Sequence, residues 1–343
     1  MKNLLKLKFA IAIVLLFNIS TNAQKCNLRA DEIDDFKNRT LLIIKESLDE
    51  SNVKDLEEQI SSTRKPEKKK ELSEELNYYK TRIQAYSVFD TWFSEYWKYN
   101  ANIKISTWDE IHKIPKDSRK NYLVMRCQDL DFDYFDGVLG KKFPSKNKIP
   151  AMYIIKLEEE MGFINSIFSK FSNKVDVFTY VPDFLHRSDR TFHESDFKLT
   201  IKIMSNLIKT IEKNNEKNLT TKNLAEYQSE SLCSKIPEKE IYFEKDILKQ
   251  ASDMIDFKKE TKVIPKVVSI EQLYEKIDNE EDILFGISIP IGIQYGYDRI
   301  EYMNCLINPN NGKFYAYSCK GQLEIPGPLF TKSVFKDFYK CIE

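Results

Sequence analysis

Two helix-capping boxes, 162 residues apart, constrain this chain more than any other feature. Thr107-x-x-Glu110 and Ser269-x-x-Gln272 each place a hydroxyl three residues before a Glu or Gln. That pairing satisfies the backbone N–H groups left open at the start of a helix. After the first box, Trp108, Ile111 and Ile114 fall on one helical face; after the second, Ile270, Leu273 and Ile277 do. A strand-like stretch precedes each box, at residues 102–105 and 262–268. A buried-strand run follows each, at residues 122–125 and 283–289. Tyr122 and Leu284 keep the 162-residue offset, as do Met152 and Phe314 in later strand runs. Upstream, Asp35-Phe36-Lys37 returns as Asp196-Phe197-Lys198, an offset of 161.

These spacings suggest an internal duplication. They predict an α+β chain: a tandem pair of small units with helices packed on small sheets, behind a helical N-terminal preface. The preface covers residues 24–100 and leads into a first unit at 101–185. A loop and helical linker takes 186–240, and the second unit 241–343. Within the preface, the charged run 46–75 reads as two antiparallel helices broken near residues 61–66. A second helical stretch, 199–233, turns at the polar residues 214–218. In element order alone, the pattern resembles small α+β modules found in tandem in bacterial envelope proteins.

The first 23 residues read as a cleaved secretory leader. Lys2, Lys6 and Lys8 precede nine apolar residues at 9–17, and Thr21-Asn22-Ala23 closes a polar, small-residue segment. Nine residues rise only ~14 Å as a helix, against a ~30 Å hydrocarbon core. Cleavage is expected between Ala23 and Gln24, giving a periplasmic or extracellular protein with no transmembrane anchor after leader removal. Cys26 does not directly follow that cut, so a lipid anchor does not fit.

The chain holds 53 basic and 53 acidic residues. Such a balance disfavours a nucleic-acid partner, which needs a concentrated basic footprint. The basic run from Arg64 to Lys70 reads as a solvated helix face. Glycine occurs only nine times, and neither G-x-x-x-x-G-K-[ST] nor G-x-G-x-x-G is present. Six cysteines in an exported chain permit up to three disulfides. Cys305 and Cys319 flank the turn at 308–312 and form the disulfide candidate.

Several side chains could carry chemistry. Asp129, Asp131 and Asp133 alternate as the opening of a calcium loop does, so a divalent cation is the metal candidate. The full motif would need Gly at 134 and Glu at 140, where Tyr134 and Gly140 stand, and a strand with one acidic face fits equally well. His186, His193 and Glu194 share one polar loop and suit zinc or general-base chemistry. Ser195 or Asp196 there also reads as a helix N-cap. Cys127 or Cys233 could be a nucleophile only with a base nearby, and His112 is the histidine close to Cys127 in sequence. Phe89, Phe93, Tyr96 and Asn100 share a helical face, with Trp92 and Tyr99 off it. Tyr295, Tyr297 and Tyr302 beside Gly292 and Gly296 suit protein or glycan contacts.

No catalytic signature emerges, and no cofactor is required. The expected function is a non-enzymatic binding or assembly module of the cell envelope, engaging another envelope protein. The alternatives are a metal-dependent hydrolase using His186, His193 and Glu194, or a glycan-binding protein.

Overall fold

The computed structural model describes residues 26–45, 50–136, 141–158, 175–182, 193–215, 218–248, 251–294, 299–319 and 329–342. The leader and the Ala23–Gln24 cut lie outside them. In chain order the elements are α1 (Ile33–Asn38), β1 (Thr40–Ile44), α2 (Glu50–Ser62), α3 (Pro66–Tyr96), β2 (Ile103–Ser106), α4 (Trp108–His112), β3 (Tyr122–Asp136), β4 (Lys141–Lys156), β5 (Val175–Tyr180) and α5 (Glu194–Asn214). Then come α6 (Thr221–Leu232), β6 (Ile241–Glu244), α7 (Ile255–Thr261), β7 (Lys266–Val268), α8 (Ile270–Asp278), β8 (Leu284–Gln294), β9 (Arg299–Asn308), β10 (Lys313–Ser318) and α9 (Lys332–Lys340).

The strands form two five-stranded sheets, ordered β2-β1-β3-β4-β5 and β10-β9-β8-β6-β7. In the first, β1 runs parallel to both β2 and β3, and β3-β4 and β4-β5 are antiparallel. In the second, β6 is parallel to β7 and β8, and β8-β9 and β9-β10 are antiparallel. The two sheets therefore share one order and one set of strand senses. This is the tandem pair of α+β units. Both capping boxes form alike: Glu110 N–H donates to Thr107 Oγ1 at 3.4 Å and Gln272 N–H to Ser269 Oγ at 3.4 Å. The reciprocal bonds to Glu110 and Gln272 are both 3.0 Å.

Three expectations need correction. First, the preface is not wholly helical. Thr40–Ile44 is a strand flanked on both sides, with Leu41 opposite Ile103 and Leu123. Leu41, Leu42, Ile43 and Ile44 are all buried. A strand covered on both faces loses its period-2 alternation, so a short apolar run looks helical. The first sheet thus begins near residue 40 rather than 101. Second, the 162-residue offset ends after β3 and β8. Met152 lies on β4, whose counterpart is β9, whereas Phe314 lies on β10. The β3-β4 hairpin, with strands of 15 and 16 residues, outgrows β8-β9, with 11 and 10. The Asp-Phe-Lys triplets fall on α1 and α5, which are not equivalent elements.

Third, α5 is not a linker. Fourteen of its 21 residues are buried, more than one amphipathic stripe provides. Leu199, Ile203, Met204 and Leu207 share one apolar cluster with Val124 and Ile154 of the first sheet and Ile287 and Met303 of the second. The helix is common core to both units. A second cluster covers the other face of the second sheet, where Phe243 meets Phe330 at 5.2 Å and Phe335 at 5.3 Å, with Phe257 and Phe338 beside them.

The cysteines also differ from expectation. Cys233 is disulfide-bonded to Cys341, 108 residues on. That covalent loop encloses all of β6 to α9. Cys305 is buried and its thiol approaches Ile287 O at 3.5 Å, so the Cys305–Cys319 bond is not made. The register sets Cys305 opposite Tyr317. Cys319 is then a diagonal neighbour, and such pairs sit ~7–8 Å apart, beyond the usual disulfide span.

The aromatic helix α3 turns Phe89, Phe93 and Trp97 fully inward, spaced i, i+4, i+8, while Tyr96 is half-buried. Phe89 and Trp92 meet Phe197 of α5 at 5.1 and 5.4 Å. Asn100 is buried beyond the helix end. Its Nδ2 donates to Phe36 O (2.6 Å) and Arg39 O (3.2 Å), and its Oδ1 accepts from Trp97 Nε1 (2.9 Å). No described helix is long and apolar enough to cross a membrane.

Candidate functional site

Two regions gather polar and charged side chains: the N-terminus of α5, and the end of the α2-α3 pair at residues 62–70.

At the first, His193 caps α5. Its backbone N–H donates to Asp196 Oδ2 at 2.8 Å. Its ring stacks on Tyr274 of α8, with centroids 4.1 Å apart and 13° between planes. Tyr274 Oη donates to the Asp196 carboxylate at 3.2 Å. Ser195 Oγ donates to Asp278 Oδ1 at 2.7 Å and lies 2.7 Å from His193 Nδ1. The first turn of α5 is thereby fastened to α8 of the second unit. On its other side, Tyr96 Oη donates to Glu194 Oε1 at 3.2 Å, which fastens it to α3. Burial first, then the Glu194 carboxylate, pushes the Tyr96 phenol up to about 12. An open groove of about 470 Å³ lies alongside, lined by His193, Tyr274, Glu271, Glu275 and Asp278 among others.

The chemistry available there is bounded by proton counting. Ser195 has one hydroxyl proton, and Asp278 takes it. The short Nδ1···Oγ contact then requires a proton on Nδ1, whereas the Ser195 backbone N–H, 3.2 Å away, calls for a bare Nδ1. The tautomer of His193 selects between them. The order is His–Ser–Asp, with serine central and fully buried. A nucleophilic serine needs the imidazole in the middle and an exposed Oγ. The cluster thus serves as a cap and a joint, with the His193 ring bordering the groove.

Of the other sequence candidates, His186 lies outside the described residues. Asp129, Asp131 and Asp133 lie on extended β3, not on a turn, and their side chains are outside the description. The register sets Asp131 opposite Lys148 and Asp136 opposite Lys141. Asp129 and Asp133 stand opposite Pro150 and Pro144. Among the described residues no group of three His, Cys, Asp or Glu is placed to hold a metal. Cys233 is in the disulfide and cannot be a nucleophile. Cys127 is buried on β3. Burial holds the Cys26 thiol up at about 12. Tyr295 and Tyr297 are outside the described residues, and Tyr302 is buried.

The second region is the hairpin of α2 and the first half of α3. Pro66 opens α3 at a position where its missing N–H costs nothing. Lys80 Nζ binds Glu57 Oε1 at 3.0 Å across the pair. Val53, Leu56 and Ile60 are spaced i, i+3, i+7 along α2, and Leu72, Leu76 and Tyr79 i, i+4, i+7 along α3. Both spacings have the form of a heptad seam. Yet α2 has no buried residue, and of the six seam side chains only Leu72 is buried. The basic residues 64–70 sit at the exposed tip, as a solvated helix end. Sequence reasoning found both helices but not that their seam is half-open, because burial depends on what else packs there.

No protein-family model, no curated protein and no solved structure matches this chain.

Proposed function

We propose that this protein is a non-enzymatic binding or assembly module, exported to the cell envelope, that docks an envelope protein through the α2-α3 hairpin. One observation carries the reading: a two-helix heptad seam left half-exposed. α2 buries no residue of its own, and covering the heptad positions of the pair supplies apolar burial that it lacks. The shared order of the two sheets supports an origin by duplication, a common source of surface-presenting modules. The Cys233–Cys341 bond accords with an oxidising compartment.

The test is a crosslinked pull-down from the envelope fraction. The bait is the intact chain or a variant with residues 50–80 replaced by a short polar loop. This replacement spares β1, which a larger N-terminal deletion would remove. A partner recovered by the intact bait and lost with the variant supports the reading. Recovery that is indifferent to the hairpin refutes it.

A second reading rests on the groove beside His193: an acid–base site on an exported hydrolase. It predicts turnover lost in His193→Ala and metal bound in proportion to protein. Hydrolysis that survives the substitution would exclude it.

A further inference from the structure

We infer that the envelope protein docked by the hairpin is a second copy of this chain, its α2-α3 hairpin packed antiparallel against the first as a four-helix bundle. The inference rests on the reading of the hairpin as the docking element and names its occupant.

The argument is charge placement on an unfinished seam. At the distal end, residues 62–70 carry five basic side chains, Arg64, Lys65, Lys68, Lys69 and Lys70, and one acidic, Glu67. The proximal parts, residues 50–61 and 71–80, carry seven acidic and two basic side chains. The hairpin is thus positive at its tip and negative toward its base. Two copies aligned in parallel would bring tip onto tip and base onto base. Aligned antiparallel, each basic tip lies along the acidic base of its partner. That arrangement is self-complementary under a two-fold axis, as an isologous contact must be. The same docking covers the part-buried heptad positions of both copies, Val53, Leu56 and Ile60 among them. It converts a half-buried two-helix contact into the core of a bundle.

Sedimentation velocity on the purified exported protein tests this. A concentration-dependent dimer that loosens as salt rises is expected, because the tip and base charges are exposed. Three variants make the test specific. A tip reversal (Lys65→Glu, Lys68→Glu, Lys69→Glu) puts acid against acid and should weaken the dimer by more than about tenfold. A base reversal (Glu50→Lys, Asp55→Lys, Glu75→Lys) should do the same. The two sets combined restore complementarity and should restore the dimer. These side chains are exposed, so folding is preserved, and circular dichroism checks it. A monomer at every concentration overturns the inference, as does a dimer indifferent to both reversals. If the protein is monomeric yet the pull-down still yields a hairpin-dependent partner, the self-association fails while the docking function stands.

Discussion

Asn100 offers the sharpest test of how the first unit is held. Its amide joins three groups from three places: the Trp97 indole N–H, the Phe36 carbonyl and the Arg39 carbonyl. Asn100→Ala removes every partner at once. The bonds to Trp97 and Phe36 are buried, so those two groups become orphans. The Arg39 carbonyl is only part-buried and can turn to water. Each buried orphan costs ~1–3 kcal/mol, giving ~2–6 kcal/mol in all. Against a total stability of ~5–15 kcal/mol this is a large fraction. Asn100→Asp should cost at least as much, since it keeps the acceptor for Trp97 but aims a carboxylate at two carbonyls. Urea unfolding followed by tryptophan emission measures both, with Trp97 reporting locally. An exposed control, Lys68→Ala, should stay within ~0.5 kcal/mol of the parent. A loss below ~1 kcal/mol for Asn100→Ala would refute the reasoning, because water would then have replaced the amide.

Replacing both Cys233 and Cys341 by Ser should cost ~5 kcal/mol in the chain-entropy picture for a loop of this size, and an unchanged melting temperature would contradict it. Gly286→Ala should destabilise by ~1–3 kcal/mol or more, because its Cβ would stand 2.2 Å from the Phe243 ring; calorimetry decides, and a neutral result means that the ring moves at no cost. Burial raises the Glu244 carboxyl above the usual carboxylate range, though the Asp246 and Ile247 N–H groups it accepts oppose this. The folded form then holds its proton to higher pH than the unfolded one, so this group's stability contribution is present at low pH and lost as pH rises through the folded value. Glu244→Gln should flatten that part of the stability–pH curve, and an unchanged slope would count against it. Asp278→Asn should loosen the α5-α8 joint and speed amide exchange in the first turn of α5; unaltered exchange would remove Asp278 from that role.

What the sequence disclosed follows a physical line. Capping boxes are local, and both were legible to the residue. So were the break at Pro66 and the turn after Asn214, since each depends on neighbours in the chain. The strand β1 was hidden because burial on both faces erases alternation. The role of α5 was hidden because a helix apolar on several sides differs from a linker only in what surrounds it. The Cys233–Cys341 bond joins residues 108 apart, and no spacing rule reaches that far. At the candidate site, His193 and Glu194 were visible by residue type. Tyr274 and Asp278, which complete the cluster, come from a helix some 80 residues away and carry no signal of their own.

The first described residues bear on the order in which the molecule can assemble. Cys26 N–H donates to Leu219 O, and Asn27 and Leu28 N–H donate to Val175 O and Asp176 O, so this strap lies along β5. Leu41 of β1 waits for Ile103, and Leu123 comes later still. These segments therefore wait for acceptors that lie well downstream, from Asn102 for Leu41 to Leu219 for Cys26. Non-local closure of this sort makes folding slow.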